Sequence, residues 1–235
     1  MRFTSFFSIV FLVSAVSLFS GCENSDETTL SSAQSCLDQA NSKATANACV
    51  AQLGALRTPE AYLIICSAHF IAQGFSTSRF VNAYNALTSS ATGSNSTAQS
   101  MAFMSFDKTT GNDGSVQTLS DCQASNVQSL TRLAVLAQMA TIVGSVAASL
   151  GSTYDPNAGY TPAQLTAALA AFGTSPAADP ATLGATAITA NQSYCAAGSA
   201  YQTSSVCTTL AAAIAGGSTP TQIGSALITQ LQIPH

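Results

Sequence analysis

The chain is poor in the side chains that carry most protein chemistry. Its 235 residues hold no tryptophan, two histidines, six lysines or arginines and ten acids, so only 7% are charged, against about 25% in an ordinary soluble domain. The deficit is uneven. Beyond Arg132 the charged side chains are Asp155 and Asp179 alone, and lysine and arginine are absent. So few cations cannot neutralise a run of phosphates, which argues against nucleic acid as a partner. His69 is the one histidine ahead of the terminal His235, which leaves thin material for acid–base catalysis. The chain has no Gly-x-Ser-x-Gly, no zinc-protease motif, no phosphate-binding glycine loop and no carboxylate pair spaced for glycoside hydrolysis. No metal and no cofactor are expected, since Cys-x-x-Cys spacing is missing and histidine is scarce. No stretch alternates well enough for a sheet.

What is present begins at the N-terminus. Arg2 is followed by an uncharged apolar run that ends Leu18-Phe19-Ser20-Gly21-Cys22. A short positive start, an apolar core and small residues before the cut mark a secretory signal, which takes no part in the fold. The ending Gly21-Cys22 resembles the lipobox of bacterial lipoproteins, with Phe19 standing where that class usually has leucine. The resemblance covers about twenty residues and implies a signal peptide over 1–21 and acylation of Cys22. Several acyl chains would then anchor the N-terminus, where a single chain would bind only marginally. Glu23 follows Cys22 where aspartate favours inner-membrane retention in enterobacterial lipoproteins. The resemblance therefore implies the outer membrane, with either the periplasmic or the surface face open. Residues 22–34 are polar and read as a tether reaching about 40 Å when extended. No family resemblance is evident for the remainder.

Setting Cys22 aside leaves Cys36, Cys49, Cys66, Cys122, Cys195 and Cys207. An even set in an exported chain implies disulfides. Loop closure favours near neighbours, pairing Cys36 with Cys49 and Cys195 with Cys207 and leaving Cys66 for Cys122. Each short loop is worth roughly 3 kcal/mol if unstrained.

The fold class expected is all-α: an Ala-rich, disulfide-stapled bundle of roughly seven to nine helices. Four starts are explicit, at Thr58-Pro59, Thr161-Pro162, Asp179-Pro180 and Thr219-Pro220, each a capping oxygen before a proline. Gly74, Gly151 and Gly173 stand at the matching stops. Tyr62 to Cys66 is apolar all round, as in a covered central helix. Phe80, Ala83, Tyr84 and Leu87 share one helical face, as do Ile223, Leu227 and Leu231. From Val127 to Leu150 a wide apolar surface carries a thin polar stripe of Gln128, Thr131, Gln138, Thr141, Ser145 and Ser149. The uncharged part, Leu133 to Leu150, is barely long enough to span a bilayer and reads as a bundle core. Residues 88–100 and 107–115 read as loops. The change in charge divides the chain into an N-terminal lobe over 35–150, a connector over 151–160 and a C-terminal lobe over 161–235, able to pack as one domain.

Candidate chemistry is sparse. Cys66 and His69 share a helical face and could form a nucleophile–base pair, unless Cys66 is oxidised. Ser105 and Lys108 match the Ser-x-x-Lys of penicillin-recognising enzymes, without that family's other elements. Asp107, Asn112 and Asp113 lack calcium-loop spacing. No catalytic residue is assigned. The expected function is a membrane-anchored, non-catalytic envelope module acting on another envelope protein or on a second copy of itself. The alternative is a carrier of small apolar or lipid ligands in a pocket between Ala-rich helices; a hydrolase ranks last.

Overall fold

The computed structural model describes residues 25–75, 79, 81–82, 101–107, 114–156, 158–193, 195–197, 202–203 and 205–232. Among them are nine helices of nine or more residues and no β-strand. The helices are α1 (Ser25–Leu37), α2 (Lys43–Ala51), α3 (Pro59–Ala72), α4 (Ser115–Ala124), α5 (Gln128–Ser149), α6 (Pro162–Ala171), α7 (Pro180–Ser193), α8 (Ser205–Ala215) and α9 (Pro220–Gln232). The all-α expectation is met. Cys22, the apolar run before it and the face carried by Phe80, Ala83, Tyr84 and Leu87 lie outside the described residues. So do residues 88–100.

The four cap–proline pairs open α3, α6, α7 and α9. In each, the side-chain oxygen before the proline accepts an N–H of the first turn: Thr58 from Ala61, Thr161 from Gln164, Asp179 from Thr182 and Thr219 from Gln222. Gln164 and Gln222 answer with their own side chains to the Thr161 and Thr219 N–H groups, completing capping boxes. At the far end of α3, Gly74 turns left-handed (φ +75). Its N–H reaches Ile71 O, and the Phe75 N–H reaches Phe70 O. These are the two bonds of a Schellman stop, and the Phe70 and Phe75 rings pack edge to face across it. Gly151 ends α5 in the same way.

Residues 25–34, expected to be tether, form most of α1. Ala33 is fully buried against α2 and α3, and Leu37 nearly so. Ala33 and Leu37, four apart, together with Leu30 and the Cys36–Cys49 disulfide, dock a segment whose average composition is polar. The interior divides into two clusters. A small one joins α1, α2 and the outer side of α3; a larger one runs from Cys66 and Phe70 on α3 through α4 and α5 to α9. The dividing line therefore runs along α3, not through residues 151–160. That expected connector is wedged into the larger cluster by Tyr154 and Tyr160, both buried and stacked edge to face.

Helix α5 is the hub, covered on nearly every side by α4, α6 and α7. The middle of its polar stripe is internal, with Gln138 and Thr141 buried, while Gln128 and Ser149 at its ends are exposed. The Thr141 hydroxyl accepts the Phe106 N–H at 2.8 Å, Gln138 accepts from Thr186 at 3.2 Å, and Ser145 donates to Ala177 O at 3.1 Å. Small residues close the C-terminal half. A Cβ on Gly184 would lie 1.8 Å from Pro220 O, and one on Gly224 would lie 1.9 Å from Pro180 O. The first turns of α7 and α9 are thus in reciprocal backbone contact. Three disulfides staple the whole: Cys36–Cys49, Cys66–Cys122 and Cys195–Cys207.

Candidate functional site

Arg79 is the least expected element of the structure: a guanidinium 1% exposed, held by backbone carbonyls. Its Nε donates to Phe103 O at 2.8 Å, one terminal nitrogen donates to Gln73 O at 2.8 Å and Pro156 O at 3.3 Å, and the other donates to Ser105 O. Its carbon sits 4.1 Å above the Phe75 ring and 5.6 Å from the Tyr154 ring. Tyr154 donates its hydroxyl to Ser105 O at 3.1 Å. Burial pulls the Arg79 pKa down, against the pull of Tyr154 and Asp155 the other way. Burial likewise raises Tyr154, while the Arg79 charge holds it back. One side chain thereby ties together the end of α3, the 103–105 segment and the turn after α5. A lone arginine carries no sequence signal for this, because backbone carbonyls can come from any residue and three of these four come from distant segments.

Above this knot lies a cleft of about 380 Å³. Asn41, Ser42 and Lys43 form one side, at the start of α2; Ile71, Ala72, Gln73 and Gly74 form another, at the end of α3. Asp107, Tyr154 and Pro156 complete it. The chain order explains the meeting: α2 and α3 are consecutive antiparallel helices, which set the N-terminal end of one beside the C-terminal end of the other. Gly74 is required here, since a Cβ on it would fall 1.9 Å from Pro156 O. The Asp107 N–H donates to the Gln73 side-chain oxygen at 3.0 Å, so the acidic residue is anchored through its backbone.

The candidate nucleophiles weighed from the sequence offer no reactive group in the structure. Cys66 is fully buried and bonded to Cys122, which removes the thiol of the Cys66–His69 pairing. His69 instead meets Asp121 on α4 at 2.8 Å, and Gln117 holds the other carboxylate oxygen at 3.0 Å. The residues next to the disulfide thus form a second, polar cross-link between α3 and α4. Ser105 is completely buried and donates to Ala102 O, so it offers nothing to a substrate; Lys108 lies outside the described residues, as do Asn112 and Asp113. Among the described residues no three histidine, cysteine or acidic side chains gather as metal ligands. Among the described residues one buried polar side-chain atom stands without a hydrogen bond: the Tyr160 hydroxyl, whose pKa is pushed up to about 12 by burial, with Asp107 and Tyr154 adding to it. No protein-family model, curated protein or solved structure matches this chain.

Proposed function

We propose that the protein is a lipid-anchored, non-catalytic module of the bacterial cell envelope, held at the outer membrane through Cys22 and contacting another envelope protein or a second copy of itself. The observation that carries the reading is the completeness of the cysteine pairing. The six cysteines after Cys22 are all joined to one another, so Cys22 alone is left over. Three disulfides suit an exported chain, and the odd cysteine sits where the lipoprotein class carries its acyl chains. The same pairing removes Cys66 as a nucleophile. The surface of the C-terminal half supports an interaction role. Exposed hydroxyls such as Thr166 and Thr229 donate back to the carbonyls of Pro162 and Ser225 in their own helices. Their hydroxyl hydrogens are thus taken up internally on a face without charge, which lacks electrostatic repulsion.

The carrier alternative draws no support from the packing. Small residues in the C-terminal half bring backbones into contact at Gly184 and Gly224, and the hollow of about 670 Å³ between α8 and α9 is lined mostly by glycine, serine, threonine and glutamine, a poor match for an apolar ligand. The test of the proposal is fractionation and intact mass of the expressed full chain. The wild type should sediment with membranes, resist salt extraction and carry the mass of several acyl chains on an N-terminal cysteine. Cys22→Ser should move to the soluble fraction with no acyl mass. An unacylated wild type, or a Cys22→Ser variant that stays membrane-bound, would overturn the anchor.

A further inference from the structure

Helix α1 opens at Ser25, three residues after Cys22. Three residues span at most about 11 Å even when fully extended, whereas a tether running to residue 34 would reach about 40 Å. The Thr29 hydroxyl donates to Ser25 O at 2.8 Å across the first turn. From Leu30 onward the helix packs into the small cluster, and Cys36–Cys49 bonds it to α2. A short link therefore holds one particular end of the fold near Cys22.

Contacts along α1 and α2 identify that end. Ser32 bonds the Gln52 side chain and Cys36 bonds Cys49, so the two helices run antiparallel. Passing from Ser32 back to Ser25 leads beyond the end of α2, toward the turn over 52–58 that enters α3 at Pro59. Gln52, Gly54, Ala55 and Arg57 are exposed on that turn. Arg57 folds back on the Gly54 and Leu56 carbonyls at 3.1 and 2.6 Å. Asn41, Ser42, Ile71 and Gly74 mark the opposite end. The 14 residues of α3 separate the two ends by about 20 Å. Cys66 and Phe70, through which the large cluster joins α3, stand in the half of that helix farther from Pro59.

We propose that α1, α2 and α3 form a pedestal seated on a lipid headgroup layer, with the 52–58 turn against the bilayer and the Gly74 end of α3 directed away from it. This rests on the acylation of Cys22. The occupant is the bilayer itself, because a gap of about 11 Å is no wider than a single helix of about 10 Å and admits no folded partner. Asp26, Glu27 and Glu60 stand at this end with Arg57, a balance that does not draw it to anionic lipid. The surface it fits is zwitterionic phospholipid, and the short link sets the orientation.

The test uses the acylated full chain on phosphatidylcholine vesicles containing a phospholipid with a nitroxide on its headgroup. A fluorescent amino acid replaces Ala55 in one variant and Asn41 in another, both exposed positions. Quenching at position 55 should exceed that at 41 about threefold or more, given an offset of about 20 Å. A flexible insert of about fifteen glycine and serine residues before Ser25, with a mean span of about 20 Å, should bring the two values together. Helical circular dichroism checks folding, and fluorophores at Glu60 and Gln39 repeat the comparison if either first variant unfolds. A chain that fails to sediment with the vesicles would overturn the anchor, and the seating with it. A bound chain quenched equally at both positions would overturn the seating alone. A difference that outlasts the insert would overturn the short link as its cause.

Discussion

Two buried polar side chains show how single residues shape this fold. Tyr160 is 2% exposed, its ring lies where a Cβ on Gly144 would clash at 2.8 Å, and its hydroxyl has no hydrogen-bond partner among the described residues. Burial raises its pKa from 10 to about 12. A pKa higher in the folded than in the unfolded chain contributes stability that is complete below pH 10 and lost as pH rises from 10 through about 12. Tyr160→Phe should therefore remove part of the alkaline destabilisation. At neutral pH it should match the wild type or exceed it by about 1 kcal/mol, because an unpaired buried hydroxyl disappears. Urea unfolding at several pH values reads both effects, and parallel curves for the two proteins through the alkaline window would refute the assignment. Tyr154 titrates upward too, but it is common to both proteins and cancels in the difference. Neither Tyr160 nor Arg79 could be assigned from the sequence. Arg79 reads as a solvated charge because most of its partners are remote in sequence: Gln73 and Phe75 are near, but Phe103, Ser105 and Pro156 arrive from segments 24, 26 and 77 residues away.

At the scale of elements, starts and stops were written locally and tertiary contacts were not. A cap oxygen, a proline and a first-turn glutamine act within four residues, so the openings of α6 and α9 follow from short range chemistry. The polar stripe on α5 had the opposite fate. Its spacing was correct, but Thr141 and Gln138 serve Phe106 and Thr186 inside the core, since a buried helix end or loop needs partners wherever they are offered. The glycines of α7 and α9 carried a readable hint in the shared spacing Pro180 to Gly184 and Pro220 to Gly224. Each glycine only acquires meaning from the proline carbonyl of the other helix. On an exposed helix Gly→Ala would stabilise by about 1 kcal/mol through propensity. Gly184→Ala should instead destabilise by about 2 kcal/mol or more, as overpacking against rigid backbone does. Gly173→Ala is the control, with open space around its Cβ, and should be near neutral. Thermal melts of the pair decide it; a Gly184→Ala variant as stable as the wild type would mean the two first turns are not in contact.

For the whole molecule, charge along the chain proved a poor guide to how the interior divides. Charge reports what faces water, and the fall in charge after Arg132 marks a change of surface, not a break in the core. The actual division follows α3, which gives Ile64, Ile65 and Ala68 to the small cluster and Cys66 and Phe70 to the large one. Disulfide pairing, by contrast, followed from loop closure because the two short loops are local, and the third bond was what remained. That third bond has the widest reach. Cys66–Cys122 closes 56 residues and joins the shared helix α3 to α4, whereas Cys36–Cys49 closes 13 within the small cluster. Chain entropy gives the longer loop about 4 kcal/mol and the shorter about 3 kcal/mol. The larger contrast should be spatial. Replacing Cys36 and Cys49 by alanine should lower amide protection in α1 and α2 while α5, α7 and α9 keep theirs, since those helices pack around another centre. Replacing Cys66 and Cys122 should lower protection throughout, because both sulfurs are fully buried in the large cluster and the two clusters meet at that helix. Hydrogen exchange of the two double variants distinguishes the cases. Loss confined to α1–α3 in both would mean that α3 belongs to the N-terminal cluster alone, and the molecule would then be two folding units joined by a staple.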